Sequence, residues 1–216
     1  MSTLIISCKT IEPELKAAMT MSGCTHEVLW LESGLHNTPR KLNLRLQELL
    51  DRGTGVDTVL LAMSFCGNSV VGLNTGNFRL IIPRSDDCIT LLLGSLEERM
   101  KQKATYFLTE GWLSGERNLW REYEECIRKY GREKGEWIMS AMLEHYRNLA
   151  LVDTGCAARQ DLEEEVRRIA EKLDLNYIRI PGTLSHLRQL LTGPWPADRF
   201  VVIPPNSTVT AADCTF

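Results

Sequence analysis

Short apolar runs alternate along this chain with longer segments in which apolar residues recur every three or four positions. The runs are Thr3 to Ser7, Glu27 to Glu32, Thr58 to Phe65, Phe78 to Pro83, Thr105 to Thr109, Leu149 to Thr154, Asn176 to Ile180 and Phe200 to Pro205. Their length and bounding turn residues predict strands, and several are apolar throughout, as strands covered on both faces are. Helical spacing covers Glu12 to Ser22, Pro39 to Arg52, Asp87 to Lys103, Glu116 to Arg147 with breaks near Gly131 and Gly135, Gln160 to Leu173, and Thr183 to Leu191. Strands that alternate with helices need crossover connections, so the pattern predicts an α/β fold with a largely parallel sheet flanked by helices.

A weak internal echo runs through the pattern. LIISC then EVLWLES, LLAMSFC then RLIIPR, and LALVDTGC then NYIRIPG each read strand, helix, strand, with a cysteine just after the first strand. Three pseudo-repeated βαβ units would bring Cys8, Cys66 and Cys156 to equivalent corners of a shared site. The expectation is a single α/β domain over residues 1–216. Within it, 116–147 is a helical lobe or lid over that site, or a homodimer contact, because Trp120, Tyr123, Ile127, Tyr130, Trp137 and Met142 offer more apolar surface than one helix face needs.

Composition narrows the function classes. With 216 residues, 44% hydrophobic and 25% charged, the chain can bury a sizeable core. A net charge of −3 gives no basic surplus to neutralise phosphates, which disfavours nucleic acid. No apolar run reaches bilayer length and the N-terminus lacks a basic leader, so a cytoplasmic chain with no membrane partner is expected. Seven cysteines in a reducing compartment point to packing, metal binding or catalysis rather than to a disulfide framework.

Ligands of open α/β sheets bind beyond the carboxyl ends of the strands, and Cys8, His36, Cys66, Cys88 and Cys156 all fall just after predicted strands. Cys24 and Cys126 read as packing residues, and Cys214 lies in a tail expected to be mobile. Cys8, Cys66 and Cys88 are either buried small hydrophobes or a three-thiolate site for zinc or an iron–sulfur cluster, with Cys156 or His36 as a fourth ligand. Cys88 opens a predicted helix with Asp86 or Asp87 as N-cap, where the helix dipole is expected to lower its pKa. Asp87, Arg84 and Trp112 are the candidate catalytic or substrate-lining residues. Gly67 lets the chain turn tightly, Asn68 would cap the next helix or donate to an anion, and Asp153 and Thr154 would hold a phosphate or carboxylate in the strand-end turn of LVDTGC. His36 also reads as an ordinary loop histidine. No P-loop, GxGxxG, HExxH or GxSxG motif is present, which removes most support for nucleotide-driven and serine-hydrolase readings.

SFCGNSVVGL, LIIPRSDDCITLLLGS and TYFLTEGW, with ESGLHNTPRKL before and GPWPADRFVVIPP after, resemble the family catalogued as domain of unknown function 1638, from about Leu4 to Pro205. The resemblance implies that Cys8, Cys66, Cys88 and His36 match recurrent motif residues, and that relatives are often encoded beside corrinoid-dependent methyltransferase systems of anaerobes. The family motif usually carries His before DCI, where this chain has Asp86. Two readings follow. One is a cysteine-ligated metal or iron–sulfur protein of anaerobic one-carbon or corrinoid metabolism, acting on a small molecule. The other is a non-catalytic accessory module that binds a corrinoid protein or methyltransferase. A metal-free thiol enzyme with Cys88 as nucleophile is a third.

Overall fold

The structure, a computed structural model, describes residues 2–53, 55–115 and 118–215, and of His36 the backbone alone. Among the described residues the strands form two sheets. β1 (Thr3–Cys8), β2 (Glu27–Leu31), β3 (Thr58–Ala62), β4 (Arg79–Pro83) and β8 (Phe200–Ile203) run in the order β2-β1-β3-β4-β8, with only the β4–β8 pair antiparallel. β5 (Thr105–Leu108), β6 (Asn148–Asp153) and β7 (Asn176–Pro181) form a parallel three-stranded sheet. The chain is a mixed α/β protein with largely parallel strands flanked by helices, as the apolar pattern predicts.

Three apolar layers follow from strand alternation. One face of the larger sheet, through Leu4, Ile6, Leu61 and Ile82, packs against α2 (Pro39–Leu50) and the turn-rich segment after β3. The opposite face, through Ile5, Leu60 and Ile81, meets α1 (Glu12–Ser22), α3 (Cys88–Leu93) and α9 (Ser185–Thr192). That same core contains Phe107, Ala150, Val152 and Ile180 from the smaller sheet, so the two sheets share it. The far face of the smaller sheet packs Leu149 and Leu151 against α6 (Leu119–Tyr130), α7 (Arg132–Met142) and α8 (Leu162–Lys172).

Some expectations change. The helical segment 87–103 divides into α3 and α4 (Leu96–Lys101), because Gly94 takes a left-handed φ of 91° and Ser95 caps the next helix by accepting the Glu98 N–H. A short helix, α5 (Glu110–Ser114), follows β5 behind the Thr109 N-cap. Gly131 divides α6 from α7, whereas Gly135 lies inside α7, where a Cβ would sit 2.9 Å from the Ile127 backbone N. Of the three supposed βαβ repeats, β1-α1-β2 and β6-α8-β7 hold. The middle one does not, because positive φ at Cys66, Gly67, Asn68 and Gly72 makes the β3–β4 link a chain of turns.

Candidate functional site

The chain leaves β1 on one side to form β2 and returns on the other to form β3, so the order reverses between β1 and β3. A crevice opens at such a switch point, beyond the carboxyl ends of the strands. Cys8 ends β1 there and Cys66 follows β3. The loop after β4 is tied alongside by two backbone hydrogen bonds, Phe65 N–H to the Ser85 carbonyl and Cys66 N–H to the Asp86 carbonyl, both 2.9 Å. This brings Cys88, at the start of α3, against Cys66. Cys8, Cys66 and Cys88 line one cavity of about 400 Å³, walled by Leu42, Met63 and Trp112.

Cys66, Gly67 and Asn68 occupy the left-handed region in succession, with φ of 44°, 68° and 63°. Glycine tolerates this freely and asparagine moderately, but a cysteine there costs on the order of 1–2 kcal/mol. The Cys66 N–H bond to the Asp86 carbonyl holds this turn against the loop that leads into α3. Asn68 caps no helix; its carbonyl accepts the Val71 N–H in a turn.

The Cys8 and Cys88 thiols are held protonated at neutral pH. Burial pushes Cys8 up to about 11, with Cys88 adding to the effect and the Thr10 hydroxyl, 2.9 Å from the sulfur, opposing it. Cys88 is pushed well above the ordinary thiol value by its hydrogen bond with Cys66 and by burial, and the neighbouring Asp87 carboxylate adds to this. This corrects the expectation that a helix dipole lowers the Cys88 pKa: α3 is only six residues long and its N-cap is the anion Asp87, whose Oδ1 accepts the Thr90 N–H at 2.6 Å.

The other candidates separate. Asp86, Asp87, Gly67 and Trp112 line the thiol cavity. The Arg84 guanidinium faces elsewhere, donating to the carbonyls of Ala197, Asp213 and Thr215. It thereby holds the C-terminal segment, where a 3-10 turn over Ala211–Cys214 with a Thr210–Asp213 capping box packs Cys214 against the first core. Asp153, Thr154 and Cys156 line a separate cavity of about 160 Å³. There Asp153 pairs with Arg179 and the Thr154 hydroxyl lies 2.9 Å from the Cys156 sulfur. The His36 side chain lies outside the described residues; its backbone sits in a 3-10 turn over Leu35–Asn37, and Leu35 lines the thiol cavity. No described residue of 116–147 lines either cavity; α6 and α7 fold on each other and cover the outer core instead. Among the described residues, no three His, Cys, Asp or Glu groups are arranged to hold a metal ion.

A family model described as Protein of unknown function (DUF1638) matches residues 30–191, which include Cys66, Cys88, Trp112 and the whole smaller sheet. The chain belongs to this DUF1638 family. No curated protein and no solved structure matches it. Among the described residues, no helix of this DUF1638 chain is long and apolar enough to cross a membrane.

Two features escaped the sequence pattern. Glu14 reads as an ordinary first-turn helical acid yet is 2% exposed. Thr10 hydrogen-bonds Cys8, and its carbonyl accepts from the Thr109 hydroxyl at 3.2 Å, which couples the ends of β1 and β5. The Thr109-x-x-Trp112 capping pattern was a visible signal for the second; nothing local marked the first.

Proposed function

We propose that this protein binds a soft metal ion or an iron–sulfur cluster through Cys8, Cys66 and Cys88, and that a small molecule meets that centre in the cavity walled by Trp112. The observation that carries the reading is the left-handed Cys66, a non-glycine residue held against its backbone preference next to a second cysteine at the switch point of the sheet. The donor set suits the group: three thiols select zinc or iron–sulfur centres over hard cations. When bound, such a centre supplies Lewis-acid or electron-transfer chemistry at a position left open to the cavity. The protein's own part is to bring the Cys8 thiol to the already hydrogen-bonded Cys66–Cys88 pair, to exclude water with Leu42, Met63 and Trp112, and to give up thiol protons on loading. A setting in one-carbon or corrinoid metabolism rests on the family resemblance alone.

A second reading, a non-catalytic module with packed thiols, is favoured by the contact of Cys66 and Cys88 with the first core. Metal analysis of protein purified without oxygen separates the two. The metal reading expects bound zinc or iron in the wild type and its loss in Cys66→Ser and Cys88→Ser with the fold retained. Metal-free wild type that takes up neither zinc nor iron on reconstitution would support the packing reading.

A further inference from the structure

The second cavity lies at the carboxyl edge of the smaller sheet, and two buried carboxyls face it: Glu14, 2% exposed, from α1, and Glu110, 9% exposed, from α5. Glu110 has a partner, because its Oε2 accepts the Ala158 N–H at 2.9 Å. Glu14 Oε2 is buried without any hydrogen-bond partner. A buried, unpartnered carboxyl oxygen costs stability unless something else satisfies it. The nearby cations do not: Arg159 pairs with Asp161 and Glu165, and Arg179 with Asp153 and Glu163. Burial, with the Glu110 charge adding to it, pushes the Glu14 carboxyl up to about 7, and the Cys156 thiol, raised by burial, feels both carboxylates. Arg159 and Arg179 line the cavity but are held by their own carboxylate partners, so no cation of the chain satisfies Glu14. Leu151, Val152 and Leu162 supply an apolar wall beside it.

We propose that this cavity is a binding site for a small organic ammonium ion, whose N–H groups satisfy Glu14 and Glu110 while its carbon chain lies on Leu151, Val152 and Leu162. A metal cation is the weaker match, since Leu151, Val152 and Leu162 offer it no ligand and suit a carbon chain instead. The cavity of about 160 Å³ admits an amine of only a few heavy atoms. The site stands apart from the thiol cavity and does not depend on metal there.

The probe is n-butylammonium, with n-butanol as the uncharged match, titrated calorimetrically and by thermal unfolding at pH 8 and constant ionic strength. The expected result is saturable binding and a rise in melting temperature for butylammonium only. Glu14→Gln and Glu110→Gln should each weaken binding by about tenfold or more while far-ultraviolet circular dichroism stays unchanged. Binding should also weaken below pH 7 as Glu14 takes up its proton in a cavity it shares with Glu110, Asp153, Cys156 and Glu163 and with the ion-paired Arg159 and Arg179. Should Glu110→Gln bind normally and only Glu14→Gln fail to fold, or should butanol bind as well as butylammonium, the proposal is overturned. Stabilisation by zinc or manganese alone, lost in Glu14→Gln, would overturn it in favour of a metal site.

Discussion

Cys66 is the residue on which the thiol site turns. Its left-handed backbone could be adopted at lower cost by glycine, so Cys66→Gly removes the thiol and relieves the strain together. Loss of packing and relief of strain nearly offset, and the expected stability change is within about 1 kcal/mol in urea unfolding while metal binding is lost. A loss well beyond about 2 kcal/mol would mark the thiol as core packing. The sequence made this residue legible, since Gly67 and Asn68 after an apolar strand announce a tight turn. It did not make Glu14 legible, because burial of a helical acid depends on what α5 and the turn after β6 bring over it. Glu14 has a folded pKa of about 7, above the 4.5 of the free side chain. The folded state therefore binds the extra proton, and the associated stability is complete below pH 4.5 and is lost as pH rises through 7. Glu14→Gln lacks that loss. Relative to wild type it should gain about 3 kcal/mol between pH 4 and pH 8, which urea titrations at both pH values would measure. A difference that does not move with pH would contradict the burial of an ionisable Glu14.

Elements with sustained periodicity were legible to within a few residues: α1 spans Glu12–Ser22 as its spacing predicts, and every strand core coincides with an apolar run. Elements shorter than two turns were not. α5 covers five residues, too few for a period to show, although Thr109 followed by Trp112 is its cap. This short helix matters to both cavities, since Thr109 and Trp112 face the thiols while Glu110 faces Glu14. Gly111 lets it approach the end of β1: a Cβ there would lie 2.5 Å from the Thr10 carbonyl oxygen, a backbone atom that cannot swing aside. Gly111→Ala is expected to cost about 3 kcal/mol and to weaken ligand binding in both cavities together. Calorimetry with wild-type affinity at either site would show that α5 does not position it.

At the scale of the whole molecule, the division into two sheets could not be read from the chain, because the apolar runs of β4 and β5 look alike and strand order carries no local mark. Both sheets contribute to the middle core: Ile5, Leu60 and Ile81 share it with Phe107, Ala150 and Val152, and with Leu15 and Leu187 from the helices. Unfolding followed by tryptophan fluorescence and by circular dichroism should therefore give coincident transitions, and two separated transitions would show that the smaller sheet is stable alone. The switch point between β1 and β3 likewise emerges only from the assembled sheet, and it is where Cys8, Cys66 and Cys88 line one cavity. X-ray absorption of protein purified without oxygen, at the zinc and iron edges, tests this most directly. The account predicts sulfur scatterers at about 2.3 Å that disappear in Cys66→Ser; a metal with only nitrogen and oxygen neighbours, or sulfur coordination unchanged in that variant, would contradict it.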